Sequence, residues 1–145
     1  MLTVALISWE CQEMKNEIRT LIDALPAEEH FAVGNDLVFL PDFQKTFNDV
    51  FKRKVYTENE ISYCAQFDQA LLRYASTWAA KEATYKAIKQ IDSSTLSWKM
   101  IEIVREKNAG KPSVILHKEN TFKISLSISH DGDYVWAVVL VKRNL

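Results

Sequence analysis

The hydrophobic residues follow a helical spacing over most of the chain and alternate with polar residues in its last third. In residues 9–25, apolar side chains recur every three or four positions with charged residues between them, and Pro26 ends the pattern. This spacing predicts a helix. The apolar, β-branched residues 2–8 predict a strand before it, and residues 31–40 predict a second extended segment.

Three more helices are predicted in the middle of the chain. The longest covers residues 70–91, which are rich in alanine and contain neither glycine nor proline. Thr57 followed by Glu60 has the spacing of a capping box, which predicts a helix from there to about residue 68. Asp42 is predicted to cap a short helix that runs through Phe47.

The C-terminal third is predicted to form antiparallel strands. The alternating pattern indicates strands over residues 98–105, 113–118, 122–129 and 134–142, with a turn at Gly110-Lys111-Pro112 and a tight hairpin at Asp131-Gly132. Helices come first and antiparallel strands last. This order predicts an α+β fold in which an antiparallel sheet packs against the long helix.

Composition and charge narrow the class of protein. The chain has 145 residues, of which 48% are hydrophobic, and only three are glycine and three proline, so a folded domain is expected. Its formal net charge of −1 lacks the basic excess of a sequence-independent nucleic-acid binder. No apolar run has the length of a membrane helix. Cys11 and Cys64 match no metal or redox spacing. We expect a cytoplasmic protein with reduced thiols and neither nucleic-acid nor membrane partners.

The long predicted helix contains the most informative group of polar residues. Trp78, Glu82 and Lys86 are spaced by four residues and therefore share one helix face. A carboxylate beside an ammonium group on a rigid helix can hold Mg²⁺ and the phosphates that Mg²⁺ bridges. The same spacing is also that of an ordinary Glu–Lys pair on a solvated face, which is the commoner case when spacing alone is considered.

Two other segments contain candidate polar residues. Asp36 follows Gly34 inside an otherwise apolar strand, so its carboxylate needs a metal, a cation, hydrogen-bond donors or water at the strand end. Ser129, His130 and Asp131 are consecutive, whereas a serine-hydrolase triad is assembled in space from separate segments. A serine hydrolase is therefore a weak hypothesis.

Taken in order, four short motifs resemble the 4′-phosphopantetheinyl transferases, specifically the small holo-acyl-carrier-protein synthase type. They are Gly34-Asn35-Asp36, residues 78–87 (WAAKEATYKA), Gly110-Lys111-Pro112 and Ser127-Ile128-Ser129-His130. The resemblance runs from about residue 33 to residue 141. We therefore predict a single-lobe transferase domain over residues 33–145, preceded by a strand–helix extension over residues 1–32.

The resemblance implies a reaction and a set of site residues. The 4′-phosphopantetheine arm of coenzyme A would move to a serine of an apo acyl carrier protein, of fatty-acid or secondary metabolism, leaving adenosine 3′,5′-bisphosphate. Asp36 and Glu82 would bind Mg²⁺ against the pyrophosphate, and Lys86 would pair with phosphate oxygens. The serine proton would pass to a metal-bound water or to Glu82. The residues implied to contact the rest of coenzyme A are Lys111, Pro112, Ser127 and His130.

The resemblance also implies a homo-oligomer, since the small type is a trimer with sites between subunits. Val38 stands where larger, two-lobed members have a second carboxylate, which favours the small type. Asp42 stands where the small type has an arginine that meets the carrier protein, so Lys45 or the basic run at residues 52–54 is a candidate replacement. Thr77 replaces a basic residue that commonly contacts coenzyme A.

Two other functions stay open at the level of the sequence. A non-catalytic relative would bind the carrier protein or coenzyme A without transferring anything. A Mg²⁺-dependent nucleotide hydrolase would use the same carboxylates and would need no protein acceptor.

Overall fold

The computed structural model describes residues 31–105 and 110–144, together with four helical positions (13, 16, 17 and 20) within the predicted N-terminal helix. The strand predicted over residues 2–8 lies outside the described residues. In chain order the elements are β1 (Phe31–Phe39), α1 (Leu40–Thr46), α2 (Asp49–Val55), α3 (Glu58–Cys64), α4 (Ala70–Ile91), a 3₁₀ turn (Trp98–Met100), β2 (Ile101–Val104), β3 (Ser113–Leu116), β4 (Phe122–Asp131) and β5 (Tyr134–Arg143).

The fold is an antiparallel sheet with the long helix α4 packed on one face, which confirms the predicted α+β class. The sheet has the order β1-β5-β4, and β2 pairs with β3 in a separate two-stranded sheet. Asp36 lies opposite Ala137, which lies opposite Ile128 on the next strand. Even-numbered residues of β1 point toward α4 and are buried, whereas its odd-numbered residues are exposed. None of the described helices is long and apolar enough to cross a membrane.

The sheet and α4 approach each other closely because small residues meet at the contact. Ala79, Ala83 and Ala87 of α4 are completely buried. A Cβ atom placed on Gly34 would lie 1.9 Å from the carbonyl oxygen of Ala83. Any side chain at position 34 would therefore push β1 away from the helix.

Several element boundaries were predicted correctly from local signals. Helix α4 has the predicted bounds. The capping box at α3 is present, with the Thr57 hydroxyl accepting from the Glu60 amide and the Glu60 carboxylate accepting from the Thr57 amide. This helix ends at Cys64, earlier than predicted, because the chain has to turn before α4. Gly132 has the positive φ of 54° that its tight hairpin with β5 requires.

Two local predictions were wrong, and one helix was not predicted. Asp42 does not cap α1: the N-cap is Phe39, since Pro41 in the first turn needs no amide partner. Helix α2 was not predicted, although Asn48 caps it by accepting from the Phe51 amide. The strand predicted from residue 98 begins at Ile101, because the preceding residues form the 3₁₀ turn that places Trp98 against α4.

A buried ion pair joins α3, α4 and β2. The ammonium group of Lys81 is 2.8 and 2.7 Å from the two carboxylate oxygens of Glu60, and both side chains are almost completely buried. Lys81 also donates to the carbonyl of Ile101, and the amide of Ile103 donates to Glu60 at 2.8 Å. Burial lowers the pKa of Lys81, and the adjacent Glu60 opposes that shift. The two buried charges therefore neutralise each other, and backbone groups satisfy their remaining hydrogen bonds.

We expect Lys81→Met to lower the free energy of unfolding by about 3–5 kcal/mol, because it leaves the buried Glu60 carboxylate without a counter-charge. Urea unfolding followed by circular dichroism measures this loss. The double variant Glu60→Gln with Lys81→Met should recover part of it, since no buried charge is then left alone. A single variant as stable as the natural protein would contradict this account of the pair.

Candidate active site

The inward face of β1 places a carboxylate directly against α4. Asp36 is 8% exposed, and its Oδ1 atom is 2.6 Å from the ammonium group of Lys86. The same ammonium group donates to the carbonyl of Asn35 at 3.2 Å. The other carboxylate oxygen, Oδ2, is buried and has no hydrogen-bond partner among the described residues. A buried carboxylate oxygen without a donor is costly, so this atom is poised to bind a ligand.

Glu82 of α4 lies beside Asp36, so two carboxylates share the site. Partial burial of Glu82 raises its pKa to about 7, and the neighbouring carboxylate of Asp36 adds to the increase. The positive charge of Lys86 opposes it. Two adjacent carboxylates repel each other unless a proton or a cation lies between them.

Both carboxylates line an open groove of about 360 Å³ between β1, α1 and α4. Its remaining lining residues are mainly apolar, with Asp42 and Thr46 on the α1 side and the ring of Trp78 on the α4 side. The structure therefore brings together the three residues predicted for catalysis, Asp36, Glu82 and Lys86, at one accessible surface.

The two carboxylates fit a magnesium ion. Mg²⁺ binds one or two protein carboxylates and completes its octahedral shell with water and phosphate oxygens. The described residues contain no cluster of three or more His, Cys, Asp or Glu side chains that would hold a metal by themselves. Asp36, through its free Oδ2, and Glu82 would supply part of the coordination shell, and a phosphate-bearing substrate and water would supply the rest.

The other predicted contacts of coenzyme A lie elsewhere in the same chain. Lys111, next to Pro112, donates to the hydroxyl of Ser125, which shares the outer face of β4 with Ser127. His130 is on the opposite face of β4 from Ser127. Strand β5 lies between His130 and Val38 of β1, so His130 is roughly 10 Å from β1. Within one chain, these four residues are not brought next to Asp36.

The structure also adds features that the sequence analysis did not assign. Thr77 faces the interior, where it is 1% exposed and accepts a hydrogen bond from Arg105 at 3.0 Å. The ring of Trp98 is 4.8 Å from that of Trp78 and 5.0 Å from that of Tyr85, measured between centroids. The three rings form an aromatic surface next to Glu82 on the solvent side of α4. The only sequence signal was the spacing of seven between Trp78 and Tyr85 on α4.

The comparison with family models assigns the chain to a class of enzyme. Residues 32–139 match the model of the 4′-phosphopantetheinyl transferase superfamily. The match covers the strand with Asp36, the helix with Glu82 and Lys86, and nearly all of the sheet. The chain belongs to this superfamily.

Individual relatives identify the type within the superfamily. A holo-[acyl-carrier-protein] synthase of Chlamydia trachomatis serovar D is 31% identical over 118 residues, which are 77% of this chain and 99% of the relative. The coenzyme A complex of the Chronobacterium ammoniagenes synthase has a TM-score of 0.69 at 27% identity, covering 81% of this chain and 100% of that one. The chain is a transferase of the holo-acyl-carrier-protein synthase type.

A third relative comes from a much larger protein. The fatty acid synthase subunit alpha of Lachancea kluyveri is 39% identical over 105 residues, which are 66% of this chain and 6% of that relative. The 105 matched residues are about as many as the residues of this chain that match the family model.

We expect Gly34→Ala to destabilise the protein by about 1–3 kcal/mol, because the added methyl group would overlap the backbone of α4. The displacement would also separate Asp36 from Lys86. Asn35→Ala is the matched control, since Asn35 points outward on the same strand. Thermal unfolding of both variants measures the difference, and equal midpoints would contradict the close contact.

Proposed function

We propose that this protein transfers the 4′-phosphopantetheine arm of coenzyme A to a serine of an acyl carrier protein, with Mg²⁺ held by Asp36 and Glu82. The observation that supports this best is the pair of adjacent carboxylates beside Lys86, in a chain whose relatives are holo-acyl-carrier-protein synthases. Solved relatives include complexes with coenzyme A. The products are the phosphopantetheinylated carrier protein and adenosine 3′,5′-bisphosphate.

The reaction is phosphoryl transfer, in which positioning and neutralisation of charge supply most of the catalysis. The serine oxygen bonds to the phosphorus of phosphopantetheine, while the bond from that phosphorus to the bridging oxygen of the pyrophosphate breaks. Bound Mg²⁺ would neutralise charge on the phosphate oxygens. Asp36 and Glu82 would hold this cation, and the groove that they line is open to the pyrophosphate and the incoming serine.

Lys86 is suited to stabilise the leaving group. Its side chain is 50% exposed, whereas the Asp36 side chain is 10% exposed, so the ammonium group borders the solvent side of the site. With a cation on Asp36, the ammonium group is free to pair with phosphate oxygens as charge develops on adenosine 3′,5′-bisphosphate.

We also propose that the protein forms a homo-oligomer, of which a trimer is the expected form. The outer face of β1 and β5 exposes large apolar side chains in adjacent rows of the sheet: Phe31, Val33, Leu37, Phe39, Tyr134, Trp136 and Leu140. A continuous apolar face of this kind is typical of a protein interface.

The location of the remaining predicted residues supports this assembly. Lys111 and Ser127 lie on the side of the sheet that carries the apolar face, whereas Asp36 and Glu82 lie on the α4 side. A subunit that packs its apolar face against a neighbour would bring Lys111, Pro112 and Ser127 toward the neighbour's carboxylates, whereas His130 lies on the α4 side of its own sheet. The coenzyme A site would then be completed by two subunits.

The transfer is tested by the intact mass of an apo acyl carrier protein after incubation with this protein, coenzyme A and Mg²⁺. We expect a gain of one phosphopantetheine that EDTA abolishes and added Mg²⁺ restores. Glu82→Gln should lower the rate by at least about 100-fold with no loss of fold, because it removes one charge from the metal site. Glu58→Gln, an exposed change on α3, should retain the rate.

The outcomes distinguish the alternative functions. Binding of coenzyme A without any mass gain, tested with several carrier proteins, would indicate a non-catalytic relative. Release of adenosine 3′,5′-bisphosphate in the absence of a carrier protein would indicate a hydrolase. Full activity of Glu82→Gln would contradict the role given to the two carboxylates.

Trp136→Arg tests the proposed assembly. The arginine would place a charge at the centre of the apolar face, opposite Leu37. We expect analytical ultracentrifugation to show a trimer for the natural protein and a folded monomer for the variant. Transfer should fall with the loss of the oligomer. Gln44→Arg on the exposed side of α1 is the control, and an oligomer that survives Trp136→Arg would contradict the proposed interface.

A further inference from the structure

Side chains of α4 form hydrogen bonds to the backbone of β1. This strand lies at the edge of the described three-stranded sheet, so every second carbonyl group points away from β5. The carbonyl of Val33 accepts from the side-chain amide of Gln90 at 2.7 Å, and the carbonyl of Asn35 accepts from the ammonium group of Lys86 at 3.2 Å. Lys86 and Gln90 are four residues apart, so the two contacts lie one helical turn apart on α4.

The two hydrogen bonds lie on either side of Gly34, where the strand and helix backbones are in close contact. A Cβ atom on Gly34 would lie 1.9 Å from the carbonyl oxygen of Ala83 and 2.8 Å from the amide nitrogen of Ala87. Gly34 has no side chain of its own to pack, so the hydrogen bonds beside it contribute to holding the two backbones together. Asp36 follows two residues later, and its distance from Glu82 depends on the same attachment.

The proposed reaction affects these two contacts differently. The ammonium group of Lys86 also pairs with Asp36 at 2.6 Å, and in the proposed reaction it turns to the phosphate oxygens of coenzyme A. Asn35 then loses this donor. The Nε2 atom of Gln90 donates to the carbonyl of Val33 and, at 3.1 Å, to the carbonyl of Lys86, which uses both N–H groups of the amide. Gln90 therefore links the strand backbone to the helix backbone without depending on the charge of Lys86.

We propose that Gln90 is a positioning residue that keeps Asp36 beside Glu82 while Lys86 is engaged with the substrate. Gln90 acts through the backbone of β1, and it touches neither the substrate nor the metal ion. Without this link, release of Lys86 would let β1 move away from α4, and the two carboxylates would bind a divalent cation more weakly. This inference rests on the proposed transfer reaction and on the magnesium site that belongs to it.

A second glutamine provides a matched control. Gln66, in the turn after α3, is also exposed and also donates to the carbonyl four residues before it, that of Ser62, at 3.1 Å. This bond stays within one segment of the chain, whereas the bond from Gln90 to Val33 joins residues that are 57 positions apart. Methionine has about the length and the helix propensity of glutamine but no donor. Comparison of Gln90→Met with Gln66→Met therefore isolates the link to β1.

The test measures cation binding without turnover, by titrating the protein with Mn²⁺ in saturating coenzyme A and without carrier protein. Electron paramagnetic resonance reports the free Mn²⁺. We expect Gln90→Met to raise the Kd of Mn²⁺ about 3- to 10-fold, which corresponds to the loss of one hydrogen bond. Gln90→Arg restores a donor and should recover most of this loss, and Gln66→Met should leave the Kd unchanged. In the transfer assay, the Mg²⁺ concentration for half-maximal rate should rise by the same factor in Gln90→Met.

Two results would overturn the positioning role. A lower unfolding midpoint of Gln90→Met with an unchanged Kd for Mn²⁺ would show that Gln90 contributes to stability alone. An equal loss of Mn²⁺ binding in Gln66→Met would show that the effect does not come from the link to β1. If the natural protein itself bound no Mn²⁺ in the presence of coenzyme A, the proposed magnesium site would be rejected, and this failure is visible before any variant is compared.

Discussion

The distance between β1 and α4 is fixed by a backbone contact, and the active site depends on that distance. Because Gly34 has no side chain, its strand can lie against the carbonyl of Ala83, with alanines filling the rest of the contact. Two residues further along the strand, Asp36 points inward and meets Lys86 and Glu82. A larger distance between β1 and α4 would preserve the α+β fold but would separate the carboxylates of Asp36 and Glu82. The close packing therefore keeps these two carboxylates together.

Two carboxylates pair with lysines of α4, Glu60 with Lys81 and Asp36 with Lys86, but their remaining hydrogen-bonding capacity differs. Glu60 is saturated by Lys81 and by the amides of Thr57 and Ile103, so it contributes to the structure and has no capacity left for a ligand. Asp36 has one partner on Oδ1 and none on Oδ2 among the described residues. The first arrangement is typical of a structural ion pair, and the second of a carboxylate in a functional site.

The separation of the predicted site residues into two groups has a consequence for assembly. One group lies between the sheet and α4, and the other lies along β4 beside an exposed apolar face. The open groove that contains Asp36 and Glu82 would gain a second wall if another subunit packed against it.

The sequence alone determined the features that depend on neighbouring residues: the bounds of α4, the capping box at Thr57, the hairpin at Gly132 and the four motifs with their candidate residues. Helix α2 and the 3₁₀ turn at Trp98 were not predicted, because they are stabilised by aromatic rings that pack against residues distant in the chain. Such packing leaves no pattern in the local sequence. Only the tertiary structure decided that Lys81 pairs with Glu60, that Asp36 meets Glu82, and that Ser127 lies apart from both. Such contacts join residues that are distant in the chain. They are determined by strand register and helix packing, and not by the spacing of hydrophobic residues.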